Sequence, residues 1–107
     1  MKRIESIELL GSTYKIKWVD GIIKEKEGKK EPSWLFGRTT PSLRTIEVAT
    51  LNEKNEPMTE GQIVTTFWHE VVHAIIGEGC YNNYNDDEPF IEWVGKNLKF
   101  LLENNKL

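Results

Sequence analysis

The chain has 107 residues, enough for one hydrophobic core and too few for two, so a single domain over residues 1–107 is expected. A formal net charge of −3 gives no electrostatic reason to expect nucleic acid as a partner, and no apolar run approaches membrane-spanning length. One cysteine excludes an internal disulfide framework, and Met1 to Ser6 lacks the apolar region of a signal peptide, so a cytoplasmic protein is expected.

The first half of the chain carries strand signals. Residues 2–10 fit two periods: Ile4, Ile7 and Leu10 suit a helix, whereas Glu5, Ile7 and Leu9 suit a strand, which is the expectation here. Tyr14, Ile16 and Trp18 alternate with Lys15 and Lys17, the period of a half-buried strand, and Asp20-Gly21 then marks a turn. Ile22 to Glu27 and Trp34 to Thr40 are expected to pair about a loop from Gly28 to Pro32, with the mixed charges of Lys24 to Glu31 at a solvated tip. Arg44 to Leu51 alternates again through Ile46 and Val48. That strand is either an edge able to accept an extended peptide or an interior strand. Asn52 to Thr59 is a polar connector, with Thr59 placed to cap the helix that follows.

From Gly61 to Gly77 the only ionisable side chains are His69, Glu70 and His73. Val64, Phe67, Trp68, Val71, Val72, Ile75 and Ile76 cover most of the helix circumference, the pattern of a helix buried on nearly all sides. Gly77 or Gly79 suits its end. A polar loop, Asn82 to Pro89, leads into a second amphipathic helix from about Glu88 to Glu103, with Asp86 or Asp87 as cap and Pro89 in the first turn. The fold class read from this order is α+β: a small antiparallel sheet, a helix bearing the histidines, and a closing C-terminal helix.

Both histidines of the chain lie in His69-Glu70-Val71-Val72-His73. Residues i and i+4 stack on one helix face, so the two imidazoles can grip one metal ion, and Glu70 lies one position round. H-E-x-x-H is the arrangement of zinc hydrolases, with two histidine ligands and a glutamate general base. Three fixed positions arise by chance in roughly one domain of this length in a few hundred. Gln62, Thr66, His69 and His73 trace one polar stripe, and a charged Glu70 beside it in apolar company requires a partner. The plainer alternative is a solvated edge of a core helix that holds no metal.

A catalytic zinc takes three protein ligands and one open position. With both histidines used, the third cannot be histidine, and Ile76 and Gly79 stand where a longer three-histidine motif needs Gly and His. Glu88, Glu92 and Cys80 remain as candidates, with Asp86 and Asp87 assigned to capping. Glu88 falls on the inward border of a face formed by Phe90, Ile91, Val94, Leu98, Leu101 and Leu102, whereas Glu92 keeps company with Lys96, Lys99 and Glu103 on the solvated side. Helical phase therefore favours Glu88, although spacing from the motif favours Glu92, and a first-turn glutamate also complements the macrodipole. A lone Cys80 reads as apolar filler.

The run Thr65 to Ile75, the polar loop and Asp87-Glu88 opening a helix resemble the small glutamate-type zincins of phages and mobile elements, distant relatives of the ImmA/IrrE-type metallopeptidases. Gly37-Arg38-Thr39 followed by Thr45 to Val48 is similar to the glycine turn and edge strand that precede the active helix there. The resemblance spans roughly residues 34–102. It implies His69, His73 and Glu88 as zinc ligands, Glu70 as the base that takes a proton from a metal-activated water, and a protein or peptide substrate, such as a regulatory protein. Tyr81, Tyr84 and Arg38 are candidates for stabilising an oxyanion. Two function classes follow: a zinc-dependent peptidase, or a zinc-stabilised binding module that uses the same site without turnover.

Overall fold

A computed structural model describes residues 2–24, 33–79 and 84–105. The expected hairpin tip and loop between Glu25 and Pro32 lie outside the described residues, as do Cys80 and Tyr81. Six strands precede two helices: β1 (Ser6–Leu9), β2 (Ser12–Val19), β3 (Ile22–Lys24), β4 (Ser33–Leu35), β5 (Gly37–Thr40), β6 (Thr45–Ala49), α1 (Glu60–Glu78) and α2 (Glu88–Asn105). The α+β class and the sheet-then-helices order match the sequence reading.

The sheet itself differs from expectation. Its order is β1-β2-β6-β5, and β6 runs parallel to β2 while the outer pairs are antiparallel, so the sheet is mixed. The chain leaves β2, builds a separate β3–β4 hairpin, runs back as the edge strand β5, and inserts β6 between β5 and β2. Residues 20–44 thus provide the long excursion that a parallel pair demands. Alternation along Arg44 to Leu51 announced a strand but said nothing about its partner. The 34–40 run also splits at Phe36: Leu35 pairs with Ile22 in the small sheet, whereas Gly37 pairs with Val48 in the large one.

The core lies between the large sheet and α1. Tyr14 and Ile16 of β2, Ile46 and Val48 of β6, and Ile63, Phe67, Val71 and Ala74 of α1 are buried together. Trp18 stacks on Phe67 with ring centroids 5.7 Å apart. Helix α2 packs on α1, and its Ile91 is fully buried. Helix α1 therefore has packed neighbours on two sides, which is why its sequence is apolar nearly all round.

Polar contacts fix both ends of α1. Thr59 and Gln62 form a capping box: Gln62 N–H donates to Thr59 Oγ1 (3.2 Å) and Thr59 N–H donates to Gln62 Oε1 (2.9 Å). At the other end, the Tyr14 hydroxyl donates to Glu78 Oε1 at 2.7 Å and Ser12 Oγ donates to Oε2 at 3.0 Å. Burial, together with the neighbouring Glu78 carboxylate, pushes the Tyr14 phenol up to about 12, and the same hydrogen bonds hold the Glu78 carboxyl below its usual range. Asp87 caps α2, its Oδ1 accepting from Phe90 N–H at 3.1 Å.

Strands β1 and β2 join through Leu10-Gly11, both at positive φ (52° and 85°), with Leu9 opposite Ser12. This is the two-residue hairpin turn that favours Asn-Gly, and the exposed Leu10 is a poor occupant of its first position. Leu10→Asn is expected to raise stability by roughly 0.5–1 kcal/mol, since it relieves left-handed strain and gives up no packing. A denaturant midpoint that falls on this substitution would contradict the turn geometry.

Candidate metal centre

His69 and His73 sit one turn apart on α1 with ring centroids 5.0 Å apart and Nε2 atoms 3.2 Å apart. Their Nδ1 atoms are both engaged. His69 Nδ1 lies 2.8 Å from Glu92 Oε2, and His73 Nδ1 lies 3.1 Å from Asn85 Oδ1. A carboxylate and an amide oxygen can only accept, so each Nδ1 carries a proton, and an imidazole in its neutral form then presents a bare lone pair at Nε2.

Glu88 closes the cluster. Its Oε2 stands 2.9 Å from His69 Nε2 and its Oε1 stands 3.3 Å from His73 Nε2. Two imidazole nitrogens and two carboxylate oxygens thus converge, an arrangement that can hold a cation. Donors bound tetrahedrally about 2.0–2.2 Å from zinc stand roughly 3.3–3.6 Å apart. The 3.2 and 3.3 Å separations match that spacing and the 2.9 Å contact is a little tighter. The donor set therefore fits Zn²⁺. His69, Glu70 and His73 can also bring one donor atom each within 4.8 Å of one another. Glu70, however, is committed elsewhere.

Glu70 is buried, 8% exposed, and its Oε1 accepts from the Thr39 hydroxyl at 2.7 Å. The same hydroxyl lies 3.0 Å from the Glu70 backbone carbonyl, which ties β5 to the middle of α1. Burial holds the Glu70 carboxyl above the ordinary carboxylate range; the Thr39 hydrogen bond and the two imidazoles oppose that rise, and Glu88 adds to it. Gly37 provides the room, because a Cβ there would stand 2.8 Å from Glu70 Cγ and 2.7 Å from Thr66 Cγ2.

These groups line one cleft of about 890 Å³, bounded by Leu35 to Gly37 on one side and by Glu88, Glu92, Lys96 and Lys99 of α2 on the other. β5, not β6, is the edge strand beside it, so β6 takes the interior place that the sequence left open. Arg38 is held by Glu47 at 2.8 Å, Tyr84 packs near Phe90 with centroids 6.2 Å apart, and neither lines the cleft.

The phase of α2 differs from the sequence reading. Phe90, Leu101 and Leu102, expected to be buried, are 39%, 48% and 37% exposed, whereas Glu92, expected on the solvated side, turns inward to His69. Gly95 explains the rotation. It is buried at the crossing of the two helices, where a Cβ would lie 3.2 Å from His69 N and 3.3 Å from His69 Cα. The closest approach therefore falls on Gly95, and the carboxylates one and two turns before it are delivered to the histidines. Sequence reasoning missed Thr39, Asn85 and this crossing. A glycine inside a helix, which costs about 1 kcal/mol against alanine, was the one available signal.

No protein-family model matches the chain, and no curated protein or solved structure matches it.

If the Gly95 crossing positions the carboxylates, Gly95→Leu must push α2 away from His69. Zinc affinity is expected to fall at least about 10-fold, the lower range for disturbing groups that orient metal ligands. Overpacking should cost roughly 1–3 kcal/mol of stability. Competition titration against a chromophoric chelator checks the first effect; an unchanged affinity would contradict the role given to the crossing.

Proposed function

We propose that the chain is a zinc-dependent peptidase in which His69, His73 and Glu88 hold the metal and Glu70 acts as general base. The observation that carries this reading is the cluster of two Nε2 atoms and the Glu88 carboxylate, set beside a buried glutamate that is not needed to complete it. A bound zinc ion supplies Lewis acidity and lowers the pKa of water to roughly 7.

The remaining work falls to the chain's own residues. Thr39 anchors one oxygen of Glu70, which leaves Oε2 to take a proton and pass it to a leaving amine. Its buried setting, which raises the affinity for a proton, brings Glu70 closer to the pKa an acid–base shuttle needs at neutral pH. Glu92 and Asn85 hold the imidazoles in the tautomer that directs Nε2 into the cleft. β5 is an edge strand whose first residue, Gly37, lines the cleft, and its outer edge suits an extended peptide added as a further strand. The substrate in this reading is a protein or peptide of the cytoplasm, a regulatory protein among the candidates. Among the described residues no helix is long and apolar enough to cross a membrane.

Glu70→Gln separates turnover from binding. The substitution keeps side-chain shape, so zinc content should stay near one per chain. Hydrolysis of a substrate found by peptide-library screening should fall by at least about 10²-fold. The metal-free variant should be no less stable than the parent on the alkaline side of the raised Glu70 pKa. The sign follows from the raised Glu70 pKa: its stabilising share is present below the unfolded-state value and is lost as pH rises through the folded one. Equal turnover by both proteins would overturn the assignment of the base. Absence of zinc after reconstitution would overturn the site, and zinc uptake without turnover would favour the binding module.

A further inference from the structure

Every charged side chain of α2 (Glu88, Glu92, Lys96, Lys99 and Glu103) falls on one flank when placed at 3.6 residues per turn. The buried line through Ile91 and Gly95 occupies a second face. The third, outward face carries Phe90, Trp93, Asn97, Phe100, Leu101 and Asn104 and no charge at all. Its hydrophobic residues are open to solvent: Trp93 is 65% exposed, Phe100 64%, Leu101 48% and Phe90 39%. Both asparagines fold back on their own helix, Asn97 Nδ2 donating to the Trp93 carbonyl at 2.7 Å and Asn104 Nδ2 to the Phe100 carbonyl at 2.8 Å, which leaves the rings to dominate the surface. Nothing in the metal centre uses this face.

We propose that this face of α2 pairs with the same face of a second copy of the chain, in an antiparallel two-fold dimer centred near Asn97. The exposed parts of the three rings and Leu101 amount to roughly 400 Å² of apolar surface per chain. That is the size of the largest apolar patch on a typical monomer, which is often functional. Doubled across a two-fold axis and with a rim added, it reaches the roughly 1,000 Å² that a specific interface requires. A face without charge of either sign has no complement in a charged partner and is complementary to itself. Asn97 lies four residues after Trp93 and three before Phe100. An antiparallel axis there sets each Trp93 against the other chain's Phe100 and opposes the two helix macrodipoles.

Sedimentation equilibrium on the zinc-reconstituted protein tests this. The wild-type chain should be dimeric at micromolar concentration. Trp93→Lys and Phe100→Glu should each weaken association at least roughly 30-fold, as loss of a central aromatic anchor does. Far-UV circular dichroism and zinc content, unchanged in both, establish that they fold. Mixing the two variants should restore a dimer, because the introduced ammonium and carboxylate then face each other while the other Trp93–Phe100 contact is intact. A wild-type chain that stays monomeric up to about 1 mM would overturn the proposal and leave the face to a partner of different sequence. Dimers that survive both substitutions would place the interface elsewhere, and a mixture that stays monomeric would overturn the antiparallel register.

Discussion

The close approach of α2 to the backbone of His69 at Gly95 governs the geometry of the centre. With no side chain at that point, the second helix settles against the first with a hypothetical Cβ only 3.2 Å from His69 N. The contact fixes both the separation and the rotation of α2. Glu92, three residues earlier, then meets His69 Nδ1, and Glu88, a further turn back, spans the two Nε2 atoms. A side chain of ordinary size at position 95 would move all of these groups at once. The glycine gives up about 1 kcal/mol of helix propensity for that placement.

The second constraint is that α1 is covered by the sheet on one side and α2 on the other. Phe67, Val71 and Ala74 fill the sheet side, and Ile91 presses from α2. Between them a narrow polar stripe admits the histidines, while Glu70 is left with Thr39 as its hydrogen-bond partner among the described residues. Low water content around Glu70 makes its charge expensive and its proton affinity high. Burial that would be a liability in a purely structural glutamate would be useful in the proposed base.

Much of this was legible in the residues. The polarity pattern of Gly61 to Gly77 identified a helix covered nearly all round, Thr59 read as its cap, Asp86 or Asp87 as the cap of α2, and the spacing of His69 and His73 put both rings on one face. Pairing was less legible. Alternation in Tyr14 to Trp18 and in Ile46 and Val48 reports that each run is a strand but carries no information on which strands meet, so the parallel β2–β6 neighbours were not foreseen. The phase of α2 was misjudged because Phe90, Leu101 and Leu102 were counted as inward by hydrophobicity alone. Their exposure is paired with the inward turn of Glu92, and both follow from Gly95, a residue whose importance lies in what it lacks. Thr39 and Asn85 were invisible for a related reason: each acts across a contact between elements distant in sequence.

Two imidazole Nε2 atoms and the Glu88 carboxylate are proposed to form one metal site. X-ray absorption at the zinc edge of the reconstituted protein tests it directly. The account predicts a first shell of nitrogen and oxygen at about 2.0–2.2 Å, with outer-shell scattering from two imidazole rings and no sulfur. In Glu88→Ala the protein oxygen should be replaced or the metal lost. A sulfur scatterer at about 2.3 Å, or scattering from a single imidazole, would contradict it.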